Sequence, residues 1–91
     1  MKFIWDENKR QSNLKKHGFD FRDAESVFAG EIVTVEDTRY EYGEERFATL
    51  GSLHGRIVLI IHTETVDVIR LISMRKATKY EEQAYYKQLG Y

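Results

Sequence analysis

Residues Ile57-Val58-Leu59-Ile60-Ile61 are apolar without interruption. Successive side chains of a strand point to opposite faces, so a run apolar on both parities predicts a central strand covered on both sides. It is far too short for a membrane span, which needs about 20 such residues, and it is the longest apolar run in the chain. With 91 residues the chain forms one domain, residues 1–91. A domain of this size buries less than about 70% of its unfolded surface, which leaves room for one core. Two-domain enzymes and doubly wound dinucleotide-binding sheets are thereby excluded.

The elements around that strand follow from local signals. Lys2 to Trp5 reads as a short strand. Asp6 is an N-cap for a helix from Glu7 to about His17, ended by Gly18. Asp20 caps a second helix, Phe21 to Ala29, with Phe21, Ala24, Val27 and Phe28 on one stripe. Glu31 to Asp37 alternates as a strand, and Arg39 to Glu44 reads as a polar loop. Arg46–Leu53 and Arg56–His62 form a hairpin across His54-Gly55, where both residues tolerate positive φ. Val66 to Ser73 is a further strand. Thr78 and Glu81 match a capping box that opens a last helix, with Ala77, Tyr80, Ala84 and Leu89 as its expected buried stripe. Strands grouped between helices indicate an α+β fold. The expected architecture is a small, curved antiparallel sheet of four to five strands with helices packed on one face and a half-open concave face left over.

Several chemistries drop out. There is no cysteine, so disulfide scaffolds and zinc ribbons are excluded, and a reducing, cytoplasmic location is expected. The N-terminal residues carry no long apolar stretch of the signal-peptide kind, which points the same way. His17, His54 and His62 share no ligand spacing, and no metal site is expected. No phosphate-binding glycine loop occurs, so no nucleotide cofactor is expected. Ser73 and His62 fall on neighbouring predicted strands, but nothing like a nucleophile elbow surrounds Ser73, which reads as a strand-end serine.

The formal net charge is −1, yet the charge is segregated. Residues 20–45 hold nine acids and two bases, whereas the rest of the chain holds twelve bases and six acids. A basic face can therefore exist under a neutral total. Arg46, Arg70 and Arg75 lie at or near strand ends, with Lys76 next to the last. Arg70 sits in an otherwise apolar strand. Such an arginine either pairs with an acid, such as Glu45, or offers its guanidinium fork to phosphate. Lys9, Lys16 and His17 fall on the first helix, with Asn13 between the two lysines on one face. This set is either a solvated face or the side of a nucleic-acid groove. Tyr40, Tyr42, Tyr85 and Tyr86 either stack on bases or belong to core and rim.

Trp5-Asp6, Lys9, Asn13 and Lys16-His17-Gly18, followed by Phe21, Ala24, Val27 and Phe28, resemble the opening of the BrnT toxins. Gly43-Glu44-Glu45-Arg46-Phe47, Gly51 and Gly55-Arg56 fit the same pattern. So does Arg70-Leu71-Ile72-Ser73-Met74-Arg75-Lys76-Ala77, with Glu81 and Tyr85 after it. The resemblance implies a RelE-like fold and a ribonuclease toxin of a bacterial type II toxin–antitoxin system, which arrests growth by cleaving RNA without a metal. It implies a ribbon-helix-helix antitoxin as partner and DNA contact only through that antitoxin. It carries catalytic roles to Glu45, Arg46, Arg70, Arg75 and His17, and RNA-binding roles to Lys9, Lys16, Ser73 and Lys76. Arginine stays protonated and is a poor base, so the arginines become phosphate clamps. Glu45 and His17 are then the candidate base and acid, unranked. Two other readings stand beside this one: a non-catalytic protein-binding module, and a degenerate toxin that only binds its antitoxin.

Overall fold

The computed structural model describes residues 1–91. In chain order the elements are β1 (Lys2–Ile4), α1 (Glu7–His17), a 3₁₀ turn (Phe21–Asp23) that runs into α2 (Ala24–Phe28), β2 (Val33–Glu36), β3 (Phe47–Leu53), β4 (Arg56–Glu64), β5 (Val68–Lys76) and α3 (Lys79–Gln88). The five strands form one sheet in the order β1-β5-β4-β3-β2. β4, which holds the apolar run, is its central strand, and residues 57 to 62 are all buried. The α+β expectation is met.

Several details differ from the sequence reading. The sheet is mixed, because β1 pairs parallel with β5, Phe3 opposite Ile69. A parallel neighbour needs a long crossover, and the whole chain from α1 to β4 provides one. The helices also divide between both faces rather than sharing one. Val58 and Ile60 pack with Phe21, Ala24 and Val27 on the side of α1 and α2. Ile57, of opposite parity, packs with Ala77 and Tyr85 under α3. Apolar residues on both parities of β4 require exactly such cover on each side, and α3 supplies it over part of the second face. Finally, β5 begins at Val68 and runs on to Lys76, so Arg75 and Lys76 lie within the strand.

Local chemistry sets the joints. The Asp6 side chain accepts from the Lys9 N–H at 3.1 Å, and Gly18 closes α1 at φ 78°. His54 and Gly55 take φ of 51° and 79°, the two positive values of a tight hairpin turn. Gly51 lets α2 approach the sheet, since a Cβ there would fall 2.6 Å from Val27 Cγ1. The capping box of Thr78 and Glu81 is formed. The buried stripe of α3 is only half the expected one: Ala77 is buried and Leu89 packs against the same cluster, but the other two residues do not. Tyr80 is 81% exposed and Ala84 is also exposed, whereas Tyr85 is buried and donates its hydroxyl to the Glu31 carbonyl at 2.8 Å. The helix phase is fixed upstream, where the Ala77 N–H bonds the Ile57 carbonyl at 2.9 Å. That contact turns Glu81 and Tyr85, four apart, toward the sheet.

His62 lies at the centre of the α2 side, fully buried, edge-on to Phe28 and stacked on Phe47. Its Nε2 is 2.6 Å from Thr49 Oγ1, which is 2.7 Å from Thr34 Oγ1. Burial lowers the His62 pKa below its ordinary value. The unfolded chain therefore binds this proton more readily than the folded one. The contribution of His62 to stability is complete above about pH 6.5 and is lost as the pH falls below it. Urea midpoints are expected to drop from pH 7 to pH 5. The His62→Gln variant, less stable throughout, should show a flatter profile over that interval. Equal slopes in the two proteins would contradict this origin.

Candidate functional site

β1 pairs only with residues 68–70 of β5, so the edge of β5 beyond Arg70 lacks a neighbouring strand. Asn13 of α1 takes that place. Its amide donates to the Met74 carbonyl at 2.8 Å and the Phe19 carbonyl at 3.1 Å, and its oxygen accepts from the Met74 N–H at 3.1 Å. Asn13 thus serves as a fold joint between its neighbours on the helix. Those neighbours, Lys9, Lys16 and His17, are brought against Ile72 and Ser73 around a cleft of about 220 Å³.

A bulge in β5 then decides what shares a face. Ser73 lies opposite Ile61 but Leu71 lies opposite His62, so Ile72 is an extra residue. The phase shift is visible in the core, where Ile69, Leu71 and Met74 all enter the same cluster. In a regular strand Arg70 and Arg75 would point to opposite faces. With one residue inserted they share one, together with Ser73, on the α3 side of the sheet. Arg46 joins them there, because the next residue, Phe47, points to the other face and stacks on His62. Ser73 and His62, neighbours in sequence pattern, lie on opposite faces and form no nucleophile–base pair.

Each of these arginines is held by an acid. Arg75 makes a two-pronged pair with Glu81 at 2.8 and 3.0 Å. Arg70 reaches one oxygen of Glu44 at 2.6 Å, and Arg46 Nε donates to the other at 3.1 Å. The Arg70 and then the Arg46 hydrogen bonds hold the Glu44 carboxyl below the usual carboxylate range, and Arg75 does the same to Glu81. The Arg46 guanidinium also lies over the Tyr42 ring, 4.1 Å from its centroid. The Tyr42 hydroxyl donates to Asp37 at 3.2 Å. Asp37 is buried and accepts Arg39 at 2.8 and 3.0 Å, and that guanidinium lowers its pKa to about 2. The polar loop between β2 and β3 is thus tied down by ionic contacts instead of a core.

The structure gathers Arg46, Arg70, Ser73 and Arg75 on one face, and places Lys9, Lys16 and His17 at the border of β5 beside Ser73. Glu45 lines a cavity of about 400 Å³ within the loop, residues 36–46. The partner of Arg70 is Glu44 and not Glu45. Lys76 lies opposite Val58, hence on the parity of the α1 and α2 face, away from Arg75. Sequence reasoning missed Glu44, Glu81, Tyr42 and Asp37 as organisers of this site. Glu81 was visible only as a cap, and in the structure one of its oxygens accepts from both the Thr78 N–H and Arg75, each at 2.8 Å. No three His, Cys, Asp or Glu side chains converge as a metal-binding group. No helix is long and apolar enough to cross a membrane.

No curated protein matches this chain. Its structure is similar to the 1.1 Å crystal structure of the Brucella abortus ribonuclease toxin BrnT, with a TM-score of 0.63 and 34% identity over 87% of this chain and 99% of that one. The family model of the BrnT ribonuclease toxins of type II toxin–antitoxin systems matches residues 5–81. On the match over most of its length, the shared fold and the identity to a solved member, this chain belongs to the BrnT toxin family.

Proposed function

We propose that this chain is a cytoplasmic endoribonuclease toxin that cleaves RNA without a metal ion and arrests growth. In this reading it is silenced by a ribbon-helix-helix antitoxin, through which alone it meets DNA. The observation that carries the reading is that the Ile72 bulge puts Arg70 and Arg75 on one face, the face to which Arg46 also turns. RNA hydrolysis by this route needs a base, a cationic cradle and an acid. The base takes the 2′-hydroxyl proton and the freed oxygen attacks the adjacent phosphorus. The bond from phosphorus to the 5′-oxygen breaks as the acid returns a proton to that oxygen. The products are a 2′,3′-cyclic phosphate and a 5′-hydroxyl.

Arg70 and Arg75 clamp the phosphate in this scheme, with Arg46 beside them, because guanidinium forks match phosphate oxygens. Glu45 and His17 supply base and acid. His17 lines the cleft beside Ile72 and Ser73 of β5, and Glu45 lies next to Glu44, the partner of Arg70. Lys9, Lys16 and Ser73 hold the flanking RNA along the cleft they line, and Lys76 adds positive charge at the strand end. A second reading, a degenerate toxin that only binds its antitoxin, draws on the pairing of Arg70 with Glu44 and of Arg75 with Glu81. Phosphate must displace these carboxylates to be clamped.

The test is incubation of the purified, partner-free protein with mixed-sequence single-stranded RNA in EDTA, followed by analysis of the product ends. Cleavage leaving cyclic or 3′-phosphate ends, absent from an Arg70→Ala preparation purified in parallel, is the expected result. RNA that stays intact while the protein still captures its antitoxin would favour the second reading.

A further inference from the structure

We propose that the loop between β2 and β3 is a nucleobase subsite, in which Tyr40 stacks on a base carrying an exocyclic amino group, adjacent to the phosphate held by Arg70. The inference rests on the ribonuclease reading and adds to it what the loop recognises. Tyr40 is 70% exposed and sits edge-on to Tyr42, with ring centroids 5.8 Å apart. It contributes nothing to the core. Tyr42 is committed, one ring face under Arg46 and its hydroxyl on Asp37. Tyr40 is therefore presented to solvent beside a ring that the buried Asp37 ties down, with Arg39 on the same carboxylate. A fixed aromatic beside guanidinium groups is the arrangement with which single-stranded nucleic acid is stacked while its backbone is neutralised.

The loop cavity, about 400 Å³, has room for one base. Its charge says which part of a nucleotide enters. Of the five carboxylates lining the cavity, Asp37 and Glu44 are taken up by Arg39 and Arg46, which line it too, whereas Glu36 and Glu41 make no ion pair and Glu45 is kept for the proposed proton transfer. Such a lining repels phosphate and accepts hydrogen bonds from amino groups. Adenine, cytosine and guanine carry an exocyclic amine that a carboxylate can accept from, as acidic side chains do from cytosine N4. Uracil carries none, and presents carbonyl oxygens to the carboxylates instead. The phosphate stays outside the cavity, where Arg70 of β5 meets the loop at Glu44.

The test uses the full chain and short 2′-O-methyl RNA oligonucleotides, which bind but offer no 2′-hydroxyl to cleave. Affinity is read by fluorescence anisotropy for A-, C- and U-containing oligomers and for one with a single abasic position. Tyr40→Ala is expected to weaken binding of the A and C oligomers about 5- to 150-fold, the range for loss of one base stack. Tyr40→Trp should restore it. U oligomers should bind the wild type more weakly than C oligomers. The abasic oligomer should bind wild type and Tyr40→Ala alike. If Arg70→Ala weakens binding while Tyr40→Ala leaves it unchanged, the subsite is overturned and the RNA reading stands. If neither substitution changes affinity, the ribonuclease reading itself fails. Equal affinity for U and C oligomers, with the Tyr40 effect present, would overturn the amino-group preference.

Discussion

RNA cleavage by the Arg70→Ala variant is expected to be roughly 10²–10³-fold slower than wild type, the usual loss when one preorganised donor to a developing oxyanion is removed. In the proposed mechanism two independent features of the structure favour Arg70 for this role. The bulge at Ile72 turns it to the face of Arg75, and the Glu44 carboxylate holds its guanidinium at 2.6 Å. On the proposed reading Glu44 stands in for a phosphate oxygen and keeps the guanidinium oriented until RNA binds. Arg70→Lys should recover only part of the rate, since an ammonium cannot make the two-pronged contact. The fold should tolerate both changes. Arg70 and Glu44 form a partly exposed pair near the surface, and surface pairs contribute little to stability. The measurement is single-turnover cleavage of an RNA in EDTA alongside a thermal melt. A fully active Arg70→Ala protein would remove Arg70 from the site. A variant that is inactive and also unfolded would show that the residue is structural instead.

Asn13→Ala is expected to be the most destabilising single change on the charged helix, at about 3–5 kcal/mol. The side chain makes three hydrogen bonds to backbone groups across the α1–β5 joint, and each buried group left unpaired costs about 1–3 kcal/mol. No second strand stands ready to replace it, because β1 stops pairing at Arg70. For a domain of this length that loss lowers Tm by at least about 12 °C. Asn13→Asp keeps the acceptor for the Met74 N–H but sets a carboxylate against two carbonyls, and should be no better. Substitution of Lys9 or Lys16, exposed on the same helix, should leave Tm nearly unchanged. A melt of the alanine variant within a few degrees of wild type would show that water can fill the joint.

The capping residues Asp6, Asp20 and Thr78, the His54-Gly55 turn and the central strand were all legible in the sequence. Each depends on residues within one turn or one strand of each other, and on backbone preferences that hold in any fold. The family was legible too, because spaced residues such as Lys16-His17-Gly18 and Ser73-Met74-Arg75-Lys76 are compared position by position without a fold. The α3 stripe was misread where periodicity alone was used. Tyr80 and Tyr85 both belong to an amphipathic helix, and only the anchor at Ala77 decides which one faces the sheet.

An α+β fold, a strand buried on both faces, the basic residues and the family they mark were readable from the residues alone. Which of those residues meet was settled by packing in three dimensions. Arg70 and Arg75 have opposite parity in the chain, and a single inserted residue, located only by the pairing of β5 with β4, gives them one face. Glu44 rather than Glu45 reaches Arg70 from 26 positions away, and Asn13 binds Met74 from 61 away. Local preference acts over one turn or one strand. The choice between adjacent glutamates, or between a solvated and a buried asparagine, is made by packing that brings distant segments together.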